Sequence, residues 1–251
     1  MTNCGGAFDP FNGGNDLRKY SLLLFDLDDT ILDNSSWFNV GLIKTLEMHS
    51  VTRTLDASAF LEQMLHPPKM IMEPFKRREL SPEAFKKARW SHALSYFNVR
   101  SDAILIDEID MLFIKTSMDY VCANESIFAL LKDLKHYYEV GIVTNGLYDP
   151  RLKIQKMGLA EVFSDETIFH AEELGYRKPD PQIYAVALGQ FGKKPDETLF
   201  IGDSWTHDVV GPMEAGIDAI WVNPKGFPQT TNHSPVAIVP DVTEIRRLLL
   251  N

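Results

Sequence analysis

The chain has 251 residues, 45% of them hydrophobic and 24% charged, which suffices for one α/β domain with an insertion or for two smaller domains. Its formal net charge of −10 works against a nucleic acid polymer as partner, because such binding rests on Lys and Arg neutralising phosphates. No stretch approaches the roughly 18 uninterrupted apolar residues of a membrane span, the N-terminus lacks the charged-then-apolar order of a signal peptide, and only Cys4 and Cys122 carry thiols, so the protein is expected to be cytoplasmic with both cysteines reduced and no membrane partner.

Residues 1–16 are rich in Gly, Asn and Asp, with too little apolar content to pack, and are expected to form a disordered tail. The first apolar run, Leu22 to Phe25, ends at Asp26 and reads as a buried strand. Residues 35–120 are almost wholly helix-like. Within them Ser81, Pro82 and Glu83 supply an N-cap, a first-turn proline and an acid near the positive helix end, ahead of Phe85, Trp90, Leu94 and Phe97. Ile104 to Val121 forms a second amphipathic stretch. From there helical patterns at Ile127–Tyr137, Arg151–Met157, Pro181–Phe191, Val209–Ala215 and Val242–Leu250 alternate with short apolar runs at Val140–Thr144, Leu199–Asp203, Ala219–Asn223 and Ala237–Val239. This alternation predicts an α/β fold, a doubly wound parallel sheet with an inserted α-helical cap domain. The expected division is a catalytic core of residues 17–34 and 121–251 and a helical cap of residues 35–120, mounted as a lid over the carboxyl end of the first strand.

Parallel sheets bind ligands outside the carboxyl ends of their strands, and four groups of residues fall at the ends of the predicted strands or in the loops that should surround them. They are Asp26 and Asp28 after the first strand, Thr144-Asn145-Gly146 after the second, Lys178 in Arg177-Lys178-Pro179-Asp180-Pro181, and Gly202-Asp203 with Asp208 five positions on. Each alone has an ordinary explanation: Asp-x-Asp at a strand end is often a turn or cap, Thr-Asn-Gly a turn, Lys178 a solvated lysine, and Asp203 and Asp208 helix caps. Their joint occurrence in this order is far harder to ascribe to chance. Asp26, Asp28, Asp203 and Asp208 bring four negative charges if all ionise, and Lys178 brings one positive charge, so the cluster calls for a cation. A carboxylate shell with no grouped His or Cys suits hard magnesium better than zinc. An EF-hand is excluded, because the position that should be glycine, counted from Asp26, is Ile31.

These residues resemble the haloacid dehalogenase superfamily of aspartate-nucleophile hydrolases, in its phosphatase branch. Asp26-Leu27-Asp28-Asp29-Thr30 matches the first motif, Thr144 the second, Lys178 the third, and Gly202-Asp203 through Asp208 the fourth. The likeness spans residues 20–223, and the insertion matches the family's first type of cap. One departure is Asp29, where glycine is commonest. The resemblance implies a magnesium-dependent phosphomonoester hydrolase acting on a small phosphorylated metabolite. Asp26 would be the nucleophile and Asp28 the general acid and base. Thr144, the Asn145 backbone N–H and Lys178 would hold the phosphoryl oxygens. Asp26, Asp203 and the backbone carbonyl of Asp28 would hold the metal, with Asp208 orienting the metal water or Lys178.

The pattern, including Trp221-Val222-Asn223 after the fourth motif, is similar to pyrimidine 5′-nucleotidases and small sugar-phosphate phosphatases, which ranks a nucleoside 5′-monophosphate first. Alternatives on the same scaffold are a sugar phosphomutase, which shares every core residue, and a haloacid dehalogenase, which in the family pattern lacks the second aspartate. A non-catalytic binding or regulatory protein is a further class, but it would be expected to have lost one of Asp26, Asp28, Lys178 or Asp203. Candidate substrate contacts in the helical block are Trp37, Phe38, Arg89-Trp90 and the Lys76-Arg77-Arg78 run, each with a bland reading as core or solvated face. The oligomeric state is expected to be monomer or homodimer.

Overall fold

The computed structural model describes residues 17–250; the N-terminal tail expected over residues 1–16, with Cys4, lies outside the described residues. The chain forms two compact units.

The first unit, residues 17–32, 124–145 and 159–250, is built on a six-stranded parallel sheet. Its strands are β1 (Leu22–Phe25), β2 (Glu139–Thr144), β3 (Ile168–His170), β4 (Thr198–Gly202), β5 (Asp218–Val222) and β6 (Ala237–Val239), in the spatial order β3-β2-β1-β4-β5-β6. All four residues of β1 are fully buried, as parallel strands covered on both faces must be, which is why they read as an unbroken apolar run. Leu22 and Leu24 pack on one face with Ile183, Tyr184 and Ala187 of a helix spanning Pro181–Phe191. Leu23 and Phe25 point the other way and are equally inaccessible. The strand order reverses at β1, whose neighbours are β2 and β4, and this is the switch point where an open α/β sheet offers a crevice.

The short third strand, Ile168–His170, is absent from the expected elements. The predicted helix Val209–Ala215 is instead a π-helix at Trp205–Val210 running into a short α-helix, Gly211–Glu214. The carboxyl-terminal helix is likewise shorter than expected, a 3-10 turn at Val242–Glu244 followed by Ile245–Leu249.

The second unit, residues 33–123 and 146–158, is helical. It contains a π-helix at Ser35–Asn39, then α1 (Val40–Met48), α2 (Ala57–Leu65), α3 (Lys69–Lys76), α4 (Pro82–Tyr96) and α5 (Ala103–Ser117). Side chains of Asp56, Ser81 and Asp102 accept from backbone N–H groups in the first turns of α2, α4 and α5, satisfying donors that the helix cannot. The centre is aromatic. Phe113 lies 5.2 Å from Phe38 and 5.9 Å from Trp90 between ring centroids, and Phe60 stacks on Phe97 at 5.7 Å. Segment 146–158, placed in the core by the sequence reading, groups with these helices: Tyr148 sits 5.4 Å from Phe113, and Lys153 Nζ stands 3.8 Å from the Trp37 ring centroid.

Candidate active site

Beyond Phe25 the chain leaves the sheet while still tied to it, because the Asp26 N–H donates to the Ile201 carbonyl at 2.9 Å. The loop then turns back on itself. Ile31 and Leu32 N–H groups both bond the Leu27 carbonyl, and the Asp29 N–H bonds the Leu32 carbonyl at 2.7 Å. Asp29 adopts φ +62°, a left-handed conformation that glycine takes without strain and that Asp tolerates better than most residues. The family's commonest residue and this one therefore meet the same backbone demand.

The loop aims Asp26 at Lys178. The ammonium of Lys178 donates to Asp26 Oδ1 and to Asp208 Oδ1, each at 2.7 Å, and Lys178 is 4% exposed. Carboxylate oxygens of Asp26, Asp203 and Asp208 lie within 4.8 Å of one another. Three acids then share one ammonium in a buried place. Burial lifts the Asp26 carboxyl well above the ordinary value, with Lys178 opposing and Asp208 and Asp203 adding. Asp203 is pushed up to about 7 by burial and by the charges of Asp208 and Asp29. Burial works against the charge on Lys178, yet its two carboxylate partners more than offset it and hold the ammonium above its usual range. Surplus negative charge on an all-oxygen donor set fits a hard dication such as magnesium.

Asp208 is fully buried and already committed, its Oδ1 to Lys178 and its Oδ2 to the Ser204 N–H at 2.9 Å. That approach depends on Gly202, where a Cβ would come within 2.5 Å of the Asp208 carboxylate. Thr144 ends β2, buried, two residues past the level of Phe25, as is Asp203 beyond the Phe25–Ile201 pair of β4. Asn145 holds the Lys178 backbone with its side chain: Nδ2 donates to the Lys178 carbonyl and Oδ1 accepts from the Lys178 N–H, both at 2.9 Å. Asp28 is half-buried on the loop between Asp26 and Leu32.

Three supporting residues were not singled out from the sequence for these contacts. Thr30 Oγ1 donates to Asp203 Oδ1 at 3.3 Å, Trp221 Nε1–H donates to the Asp203 carbonyl at 2.7 Å, and Ser204 serves Asp208. The signal for Thr30 lay in the first motif itself. Trp221 was noted only within the run after the fourth motif; its contact with Asp203 was not, because the indole reaches its partner only through β5 lying beside β4.

The profile of the haloacid dehalogenase-like hydrolase family matches residues 23–222, four-fifths of the chain and all of the residues above. The chain belongs to that family. Among curated relatives, the pyrimidine 5′-nucleotidase PynA of Streptococcus pneumoniae is 27% identical over 219 residues, 86% of this chain and 89% of its own. The pyrimidine 5′-nucleotidase YjjG of Escherichia coli is 25% identical over 234 residues, 92% and 98% respectively. Glyceraldehyde 3-phosphate phosphatase of Methanothermobacter thermautotrophicus is 25% identical over 245 residues, 90% and 98%. A crystal structure of the HAD-hydrolase YfnB from Bacillus subtilis, bound to magnesium, shares the fold with a TM-score of 0.76 at 24% identity, over 92% of this chain and 98% of that one. Among the described residues no helix is long and apolar enough to cross a membrane.

Proposed function

We propose that this hydrolase is a magnesium-dependent phosphomonoesterase working through an aspartyl-phosphate on Asp26. The observation that carries the reading is the buried Lys178 ammonium, 2.7 Å from both Asp26 and Asp208, with the Asp203 carboxylate in the same cluster at the sheet's switch point. A lysine so placed orients one aspartate and offers positive charge where a phosphoryl group would sit.

In the first half-reaction an Asp26 oxygen attacks phosphorus in line and the bond from phosphorus to the ester oxygen breaks. Asp28 gives its proton to the departing alkoxide. In the second, water attacks phosphorus, Asp28 takes the water's proton, and the bond to Asp26 breaks to release inorganic phosphate and the free carboxylate. Thr144, the Asn145 backbone N–H and Lys178 donate to the phosphoryl oxygens throughout. Asp26, Asp203 and the Asp28 backbone carbonyl would hold magnesium, which would supply charge to offset the repulsion between a carboxylate and a phosphate dianion. Asp208 keeps Lys178 in place.

The names of the relatives support a small phosphorylated substrate, with a nucleoside 5′-monophosphate ranked first. Residues 35–120 are taken as the specificity-setting cap. Asp28 favours a leaving group that needs a proton, so a phosphate ester is preferred over a haloacid. Phosphate release from aryl and nucleoside phosphates, with and without magnesium, tests the reading. Turnover is expected to require magnesium, to stop with excess chelator, and to vanish in Asp26→Asn with the fold retained. Turnover that persists in Asp26→Asn, or that zinc alone sustains, contradicts it.

A further inference from the structure

Residues 224–232 are all exposed and belong to no helix or strand, yet the segment is tied down at several points. At its start the Asn223 N–H donates to the Val239 carbonyl at 2.7 Å. The Asn223 side chain then takes both backbone groups of Phe227: Nδ2 donates to the carbonyl and Oδ1 accepts from the N–H, each at 2.9 Å. Gly226, inside that turn, has φ +63°, a conformation glycine adopts without strain. At the far end the Val236 N–H donates to the Ala219 carbonyl at 2.8 Å. Between these ends the loop reaches inward at Thr231. Its Oγ1 accepts from the Trp205 Nε1–H at 3.2 Å and stands 2.8 Å from His233 Nδ1, so one exposed hydroxyl joins a buried indole to a second side chain of the loop.

A buried indole N–H needs an acceptor, and that alone would be a packing role. The place of Trp205 points further. It lies in the short stretch of chain that joins Asp203 to Asp208, and it opens the π-helix on which Asp208 is carried. Its neighbour Ser204 gives its N–H to Asp208 Oδ2 at 2.9 Å. The Trp205 ring lies 4.7 Å from that of Trp221 between centroids, and the two pack with Val209 and Ala219 in one buried cluster. Trp221 in turn donates from Nε1 to the Asp203 carbonyl at 2.7 Å. The paired indoles therefore use their N–H groups differently, one on the backbone of a clustered acid and the other on the exposed loop.

We propose that Trp205 and Thr231 are positioning residues for the acidic cluster: the loop sets, through the Thr231 hydroxyl and the two paired indoles, where Asp203 stands. The inference rests on the phosphatase reading above, in which Asp203 helps to hold magnesium. It makes a surface segment, far along the chain from the first motif, a determinant of metal affinity.

The test titrates magnesium calorimetrically into the metal-free full chain. Thr231→Val keeps the shape and removes the acceptor, Thr231→Ser keeps the hydroxyl, and Trp205→Phe keeps a ring and removes the donor. Thr231→Val and Trp205→Phe are each expected to weaken magnesium binding about threefold, while Thr231→Ser stays within about 1.5-fold of the wild type. In the double variant Thr231→Val with Trp221→Phe the losses should fall short of their product, because both act on Asp203 by one route. Urea unfolding separates positioning from packing. A lower midpoint for Thr231→Val with magnesium affinity unchanged overturns the proposal, as does a Thr231→Ser variant as weak as Thr231→Val, or losses that multiply in the double variant. A wild type that binds no magnesium and releases no phosphate from phenyl phosphate contradicts the phosphatase reading and takes this inference with it. Wild-type binding and turnover, with Thr231→Val unaltered in affinity, overturn this inference alone.

Discussion

Under the proposed mechanism Asp28 differs from its neighbours in what the reaction asks of it. Asp26, Lys178 and Asp208 are held by hydrogen bonds at 2.7 Å in a buried cluster, whereas Asp28 stands half-buried on the loop, with access to solvent that a group exchanging protons needs. Asp28→Asn is therefore expected to lower kcat by about 10²–10⁴-fold on an alkyl ester, and by less on p-nitrophenyl phosphate, whose leaving group needs no proton. Equal losses on both esters would remove the acid role. Trp221 acts at one remove, by fixing the Asp203 backbone through a 2.7 Å hydrogen bond. Trp221→Phe keeps most of the packing and deletes the donor, worth about 1 kcal/mol, so magnesium affinity measured by calorimetry should weaken by about fivefold. An unchanged affinity would show that Asp203 is positioned without the indole. At this scale Asp26, Lys178, Asp203 and Asp208 were singled out from chemistry and spacing, Asp26 and Asp203 because each directly follows a buried strand and Lys178 and Asp208 because they recur with them in motif order. The contact of Trp221 could not be, because its partner lies just past the end of the neighbouring strand.

Turns and helix ends decide where those side chains point. Gly202 closes β4 and leaves the Asp208 carboxylate room to fold back over the strand end; a Cβ there would stand 2.5 Å from it. Gly202→Ala should therefore displace Asp208, slacken Lys178 and cost about 1–3 kcal/mol by overpacking, readable as a lower midpoint in urea unfolding together with lost activity. Full stability and full activity in that variant would mean that the turn has slack. The helix that begins at Pro181 was legible to the residue, because Asp180 accepts from the Gln182 N–H and Pro181 follows as the first helical residue. The Ser81–Pro82 start of α4 was legible for the same reason. By comparison, β3 holds only two apolar residues before the polar His170, and the Trp205–Val210 segment departs from the α-helical period as a π-helix, so neither shows in a pattern of apolar spacing.

For the molecule as a whole, alternating apolar runs and helical patterns implied a parallel doubly wound sheet, and the strand order adds the position of the switch point. What the linear pattern concealed was the allegiance of residues 146–158. They follow β2 directly, yet Tyr148 and Lys153 contact the aromatic centre of the helical unit, a grouping set by tertiary packing across more than thirty positions of chain. The acidic cluster at the switch point has a consequence for the entire reaction cycle: with three carboxylates and one ammonium buried together, a phosphate dianion would be repelled unless a cation joined them. The account therefore stands on covalent chemistry at a single position. Its most direct test is to quench the enzyme during steady-state turnover, reduce it with borohydride, and sequence the peptides by mass spectrometry. An aspartyl-phosphate at position 26 predicts homoserine there, dependent on both substrate and magnesium; sustained turnover with Asp26 unmodified, or with the adduct at another residue, would contradict it.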